Sequence, residues 1–159
     1  REGRIRAIGG CNFYPDRLTD LCANASVIPS VDQVELHPFF QQAGALQAMR
    51  ELGVQPQAWG PLAEGTHGIF QNEVLSAIGK KYDKTVAQVV LRWNVQRGVS
   101  IIPKSVHRNR MEENLAIWDF ALGDEDMAAI TQMDLGHSEI IDHSSPETAK
   151  WLNSWKIHD

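Results

Sequence analysis

A cluster of cations sits where a helix is expected to begin. The stretch Ile102-Pro103-Lys104-Ser105-Val106-His107-Arg108-Asn109-Arg110 crowds Lys104, Arg108 and Arg110, with His107 among them, just ahead of Met111-Glu112-Glu113-Asn114. The N-terminal end of a helix carries about half a positive charge, so each cation there costs a few tenths of a kcal/mol. An anion held among them reverses the sign. Free helix amides, the Ser105 hydroxyl and arginine forks together make a phosphate site. Spacing alone leaves a solvated basic turn as an equal alternative. The position of Lys104 at the end of an expected strand favours the anion site.

Four further polar or aromatic residues, Asn12, Gln33, Glu35 and Trp59, fall at or just beyond the ends of other expected strands. Each has a structural alternative. Asn12 could cap the following helix. Gln33 and Glu35 could be hydrogen-bonded packing, although a buried Glu needs a partner. Trp59 could be core. His37 beside Pro38 reads as a turn residue and Cys11 as a small buried filler. Tyr14 and Tyr82 belong to no acid/base constellation, Tyr82 lying in the surface-like run Lys80-Lys81-Tyr82-Asp83-Lys84.

Strand-like runs over residues 5–9, 30–36, 54–59 and 99–102 alternate with helical patterns. The first run should enter a turn at Gly10. Pro15-Asp16 opens a helix reaching residue 25, because proline suits the first turn and Asp its positive end. In the second run Val31, Gln33 and Glu35 share one face and Asp32, Val34 and Leu36 the other. Leu46, Met49 and Leu52 mark a helix over 42–52 that stops at Gly53. A helix over 73–81 follows the third run. Thr85 and Gln88 form a capping box, followed by the apolar stripe Val86, Val89, Val90 and Trp93. Further helices are expected over 108–118, 124–133 and 146–155.

Strands alternating with helices imply a parallel sheet. The polar residues favour a closed barrel over an open sheet, since barrel strand ends converge on one mouth. No Gly-x-Gly-x-x-Gly follows the first strand, so the open-sheet dinucleotide fingerprint is absent. A complete barrel of this kind takes about 250 residues. The 159-residue chain, with four βα units, is therefore expected to be half of a (β/α)8 TIM barrel.

Composition agrees with a globular chain: 43% hydrophobic, 22% charged, net charge −5. That acidity argues against a general nucleic-acid binder, which needs a basic surface. The two cysteines, Cys11 and Cys22, show no disulfide framework and no metal spacing. No apolar run approaches the ~20 residues of a membrane span. A cytoplasmic setting without metal, nucleic acid or membrane is expected.

Four motifs together resemble the aldo-keto reductase family. Arg6-Ala7-Ile8-Gly9-Gly10-Cys11-Asn12-Phe13 is similar to its fifth-strand segment, and Asp32-Gln33-Val34-Glu35-Leu36-His37-Pro38 to its sixth. Ala58-Trp59-Gly60-Pro61-Leu62 resembles the seventh, in the Trp form of the branch similar to 2,5-diketo-gluconate reductases. Ile102-Pro103-Lys104-Ser105, with Arg110, Glu113 and Asn114, resembles the eighth strand and its adenosine-phosphate pocket. The resemblance implies an NADP(H)-dependent reductase of aldehydes or ketones. It implies that Asn12 and Gln33 bond the nicotinamide carboxamide, with Cys11 beside them, and that Trp59 stacks on the ring. Gly60, Pro61 and Leu62 would line the pyrophosphate. Lys104, Ser105 and Arg110 would hold the 2′-phosphate, Val106 would join the cofactor contacts, and Glu113 and Asn114 would meet the adenine.

Gly10-Cys11 departs from the family's Val-Ser. A thiol is a weak hydrogen-bond partner, which should cost about 1 kcal/mol of cofactor grip. The family's acid/base tetrad belongs to its first four βα units, so no catalytic residue is assigned within this chain. The whole chain, 1–159, reads as one C-terminal half-domain with a tail, 136–159, over or beneath the mouth. Unpaired edge strands should recruit a missing N-terminal half-barrel or a second copy of the chain. A catalytically inactive nucleotide-binding module and an interaction protein derived from the same fold remain as alternatives.

Overall fold

The computed structural model describes residues 3–156. Four parallel strands form one sheet in chain order: β1 (Gly9–Cys11), β2 (Val31–Glu35), β3 (Gln55–Trp59) and β4 (Ser100–Ile101). Parallel neighbours need a return path, and helices supply it. The crossovers are α1 (Pro15–Asn24), α2 (Ala43–Glu51), and the pair α3 (Glu73–Tyr82) and α4 (Val86–Gln96). After β4 come α5 (Arg108–Leu115), α6 (Asp124–Thr131) and α7 (Pro146–Asn153).

Side-chain parity divides the sheet into two faces. Val34 and Ala58 are fully buried in a core with Leu18 of α1, Leu46 and Met49 of α2, and Val89, Val90 and Trp93 of α4. The other face is polar. Cys11, Gln33, Gln57 and Ser100 lie in one register row across all four strands. Gln33 Nε2 donates to Gln57 Oε1 at 2.6 Å, and Gln57 Nε2 to Ser100 Oγ at 3.2 Å. These three hydrogen-bonded side chains are only half-buried.

The local signals that set the helices are those expected. Pro15 stands in the first turn of α1. Thr85 Oγ1 accepts from Gln88 N–H at 3.3 Å, while Gln88 Oε1 accepts from Thr85 N–H at 3.0 Å, which completes the capping box of α4. Trp93 is fully buried and the Arg97 guanidinium lies 4.3 Å from its ring centroid. Burial of Arg97, with Arg50 nearby, pulls its pKa down to about 10.

Several element ends shift by one or two residues, and three differences have a structural reason or bear on the sheet. Residues 5–8 lie outside the first strand: pairing covers Gly9–Cys11, and Ile5 and Ile8 are exposed. The glycines belong inside the strand because of its close approach to β2. A Cβ on Gly9 would lie 2.4 Å from Val31 Cγ1 and 2.8 Å from Val31 O. The fourth strand shrinks to Ser100–Ile101. The helix expected to reach residue 118 stops at Leu115. There Gln88 Nε2 donates to Ala116 O at 2.9 Å, and Arg92 Nη1 to Ile117 O at 3.2 Å, while Ile117 is buried. Tertiary hydrogen bonds and packing take the place of a further helical turn.

Candidate functional site

The site is built at the C-terminal ends of the strands. Glu35 and Trp59 are the last residues of β2 and β3 and are register partners. Asn12 follows β1 with a left-handed φ of 58°, a conformation its short polar side chain tolerates. Its N–H donates to Gln33 O at 2.9 Å, and its Oδ1 accepts from Trp59 Nε1 at 2.7 Å. Asn12 therefore ties β1 to the end of β3 and does not cap α1, whose N-cap is Tyr14. Trp59 is half-buried, not core. Gln33 sits one row deeper, with its amide engaged by Gln57.

Beyond Trp59 the chain turns at Gly60, φ 58°, then passes buried Pro61 and half-buried Leu62. Two adjoining cavities open along this turn. One, of ≈ 340 Å³, lies between Gly60, Pro61 and Leu62 on one side and Ile102, Pro103 and Lys104 on the other. The next, of ≈ 450 Å³, is lined by Leu62, Phe70, Gln71, Thr85, Val86, Ala87, Arg110, Glu113 and Asn114. Leu62 belongs to both. Both volumes fall in the usual range of small-molecule sites, about 300–1,000 Å³.

The cation cluster follows the same track. Lys104 and Arg110 are exposed, and each lines one of the cavities. Neither makes an ion pair with an acid among the described residues. Arg108 differs, since its Nε pairs with Glu112 Oε1 at 2.9 Å within α5. No residue of α5 is buried and its first turn holds no acid. Lys104 and Arg110 are thus left without an acid partner at this helix start, the situation that suits an incoming anion. Ser105 Oγ accepts from His107 N–H at 3.1 Å, folding the approach to α5, and the Val106 side chain is exposed. Glu64 also lines the ≈ 340 Å³ cavity. No sequence motif marks Glu64, Phe70 and Gln71 as part of the site; a two-turn loop folds them in.

Cys11 is exposed, not a buried filler. Partial desolvation and the nearby Asp32 carboxylate push its thiol pKa up. Asp32 is itself fully buried; Oδ1 accepts from Phe13 N–H at 3.5 Å and Oδ2 has no partner. Burial pushes its pKa up to about 6, against the lowering effect of the Phe13 and Gln33 amides.

Glu35 has the partners its burial required, and they come from the tail. Oε2 accepts from Ser138 Oγ–H at 2.6 Å and Ile141 N–H at 3.4 Å, and Oε1 from the N–H groups of Glu139 and Ile140 at 2.9 and 3.2 Å. His37 Nε2 lies 3.0 Å from Oε1 and is fully buried, so this histidine orients Glu35 as well as turning the chain. Burial alone would raise the Glu35 pKa. The bonds from His37, Ser138 and Glu139 outweigh it and hold the carboxyl below its usual range. Nothing in the sequence pairs residue 35 with residues more than a hundred positions away.

One Tyr-Lys-Asp group does converge, away from the strand ends. The Tyr82 hydroxyl and Lys81 Nζ both bond Asp126, and Gly123 N–H donates to Asp126 Oδ2 at 3.3 Å. Tyr82 is therefore more than part of a surface run: it is half-buried and helps fasten the start of α6. This group lines none of the cavities above.

The aldo/keto reductase family profile matches residues 1–135. The chain is 44% identical over 133 residues to the 9,11-endoperoxide prostaglandin H2 reductase of Trypanosoma cruzi, covering 83% of this chain and 47% of that protein. It is 39% identical over 136 residues to the methylglyoxal reductase DkgA of Salmonella typhimurium, covering 86% and 50%. A crystal structure of a Bombyx mori aldo-keto reductase in complex with NADP superposes with a TM-score of 0.80 at 33% identity, covering 87% of this chain and 48% of that one. This chain belongs to the aldo/keto reductase family. It spans about half the length of the relatives it matches. Among the described residues, no helix is long and apolar enough to cross a membrane.

Proposed function

We propose that this chain is the NADPH-binding part of a reductase that converts aldehydes or ketones to alcohols by hydride transfer. The observation that carries this reading is the pair of adjoining cavities. They run from Gly60, the residue after Trp59, past Pro61 and Leu62 to Lys104, Arg110, Glu113 and Asn114. That is the order in which nicotinamide, pyrophosphate, 2′-phosphate and adenine follow one another in the dinucleotide. Trp59, braced by Asn12, would offer its indole to the nicotinamide. Lys104, Ser105 and Arg110 would receive the 2′-phosphate, Val106 would join the cofactor contacts, and Glu113 and Asn114 would receive the adenine. Asn12 and Gln33 would meet the carboxamide, Gln33 through Oε1, since its Nε2 is bonded to Gln57. Cys11 lies exposed in the same row.

When bound, the cofactor supplies the hydride. The residues of this chain bind it and orient it. Hydride transfer to a carbonyl also needs a proton donor at the developing alkoxide. We place that donor in a partner, an N-terminal half-barrel with the family's first four βα units; a second copy of this chain would complete eight strands without supplying it. The four-strand order supports this, because among the described residues β1 and β4 have no strand on their outer sides. Ile5, Ile8, Val27 and Ile28 are exposed near β1, and Ile102, Met111, Leu115 and Trp118 near β4. Apolar surface beside an open strand edge favours pairing. The Trp form of the β3 motif and the likeness to the solved structure of a putative 2,5-diketo-D-gluconic acid reductase B support the branch similar to 2,5-diketo-gluconate reductases.

Sedimentation and turnover test this reading together. The chain alone should reduce no generic aldehyde, and adding the N-terminal half of a close relative should restore NADPH oxidation. A compact monomer at micromolar concentration that gains no activity from that half would overturn the partner assignment.

A further inference from the structure

Glu35 does more than fill a buried position, because everything it holds leads back to the cofactor platform. Its carboxylate gathers one hydroxyl and three consecutive backbone N–H groups from residues 138–141, at 2.6 to 3.4 Å. Four donors on one carboxylate fix a segment that otherwise has no regular structure. A second fastening reinforces the first. Glu139 lies 3.2 Å from His67 Nδ1 and 2.9 Å from His137 Nδ1, and His67 belongs to the loop that follows Gly60.

The fastened segment meets the platform at two points. Ile140 packs onto Gly60 so closely that a Cβ there would lie 2.9 Å from Ile140 Cδ1. His143 stands edge-on to Trp59, with ring centroids 6.2 Å apart and planes at 86°. Trp59 is thus held on one edge by Asn12 and braced on another by the tail. Residues 138–143 line neither of the two cavities beyond Gly60.

We infer that Glu35 is a positioning residue: by latching residues 138–141 across the strand ends, it fixes the Trp59 indole in the orientation a nicotinamide ring would stack on. The inference rests on the cofactor reading above for its purpose, but its mechanism is readable without cofactor. A carboxylate suits the task where an amide does not. Glu35→Gln keeps the volume but turns an N–H₂ toward the tail N–H groups, donor against donor.

The test is made on the full chain by hydrogen exchange of residues 138–143 and by the Trp59 indole N–H resonance, assigned with Trp59→Phe. Glu35→Gln should speed exchange of the 139–141 amides at least tenfold. It should also broaden or split the Trp59 indole signal and weaken NADPH binding about five- to tenfold. Should Glu35→Gln not fold, Ser138→Ala/Ile140→Pro removes two of the same bonds from the tail side and should disturb the indole signal likewise. Unchanged tail exchange in folded Glu35→Gln, or faster exchange with an undisturbed Trp59 signal in either variant, would overturn the inference. If the wild-type chain failed to bind NADPH, the cofactor reading would fall while the indole signal still decided the latch.

Discussion

Asp32→Asn should stabilise the protein at neutral pH. The Asp32 carboxyl is fully buried, accepts one long hydrogen bond from Phe13 N–H and leaves Oδ2 without a partner. Burial pushes its pKa up to about 6. An ordinary Asp titrates near 3.9, so the difference is about 2 pKa units, an upper bound of about 3 kcal/mol against the ionised form. The sign follows from proton binding. Between pH ~4 and ~6 the folded state holds this proton longer than the unfolded chain, so stability falls as pH rises and the full penalty is present above pH ~6. Asn keeps the shape and the Phe13 bond but has no charge. Shape matters here, since a Cβ on Gly10 would already lie 3.2 Å from Asp32 Oδ1. The amide leaves its own N–H₂ short of partners, which reduces the gain to about 1–2 kcal/mol. Urea unfolding at pH 7.5 should show a higher midpoint for the variant with unchanged slope, and the two proteins should converge near pH 4. An equal or lower midpoint at pH 7.5, or the same gain at pH 4, would refute the reasoning.

Other substitutions read the fold. Trp93→Ala should cost about 3–5 kcal/mol in denaturant unfolding, because it empties a fully buried site between α4 and the sheet. Thr85→Ala opens the capping box of α4 and should cost about 1 kcal/mol by the same assay. Gly9→Ala places a Cβ against Val31 and should unpair β1, seen as faster amide exchange at residues 9–12 with β2 and β3 still protected.

The repeating pattern was legible because parity and helical periodicity are local. Val34 and Ala58 against Gln33 and Gln57, the Thr85–Gln88 box and the stripe on α4 all follow from neighbours in sequence. The first strand was misplaced for the opposite reason. Gly9-Gly10 reads as a turn locally, and only the approach of Val31 turns those glycines into a pairing requirement. The helix after Arg108 ended early because Gln88 and Arg92 bond the carbonyls of Ala116 and Ile117. In the site, the strand-end residues and the cations were readable from type and position. The chemistry of Glu35 announced a partner but gave no address. Ser138 and the tail amides could be found only once the strand ends and the tail met in three dimensions.

The central claim is that Lys104 and Arg110 await a phosphate ester at the start of α5. Calorimetric titration of the chain with NADPH and NADH, for wild type and Arg110→Ala, tests it most directly. A charge-assisted bond is worth about 1.5–3 kcal/mol, so losing Arg110 should weaken NADPH by roughly 10- to 100-fold and leave NADH nearly unchanged. Equal weakening of both cofactors, or wild-type binding that does not distinguish them, would contradict the account.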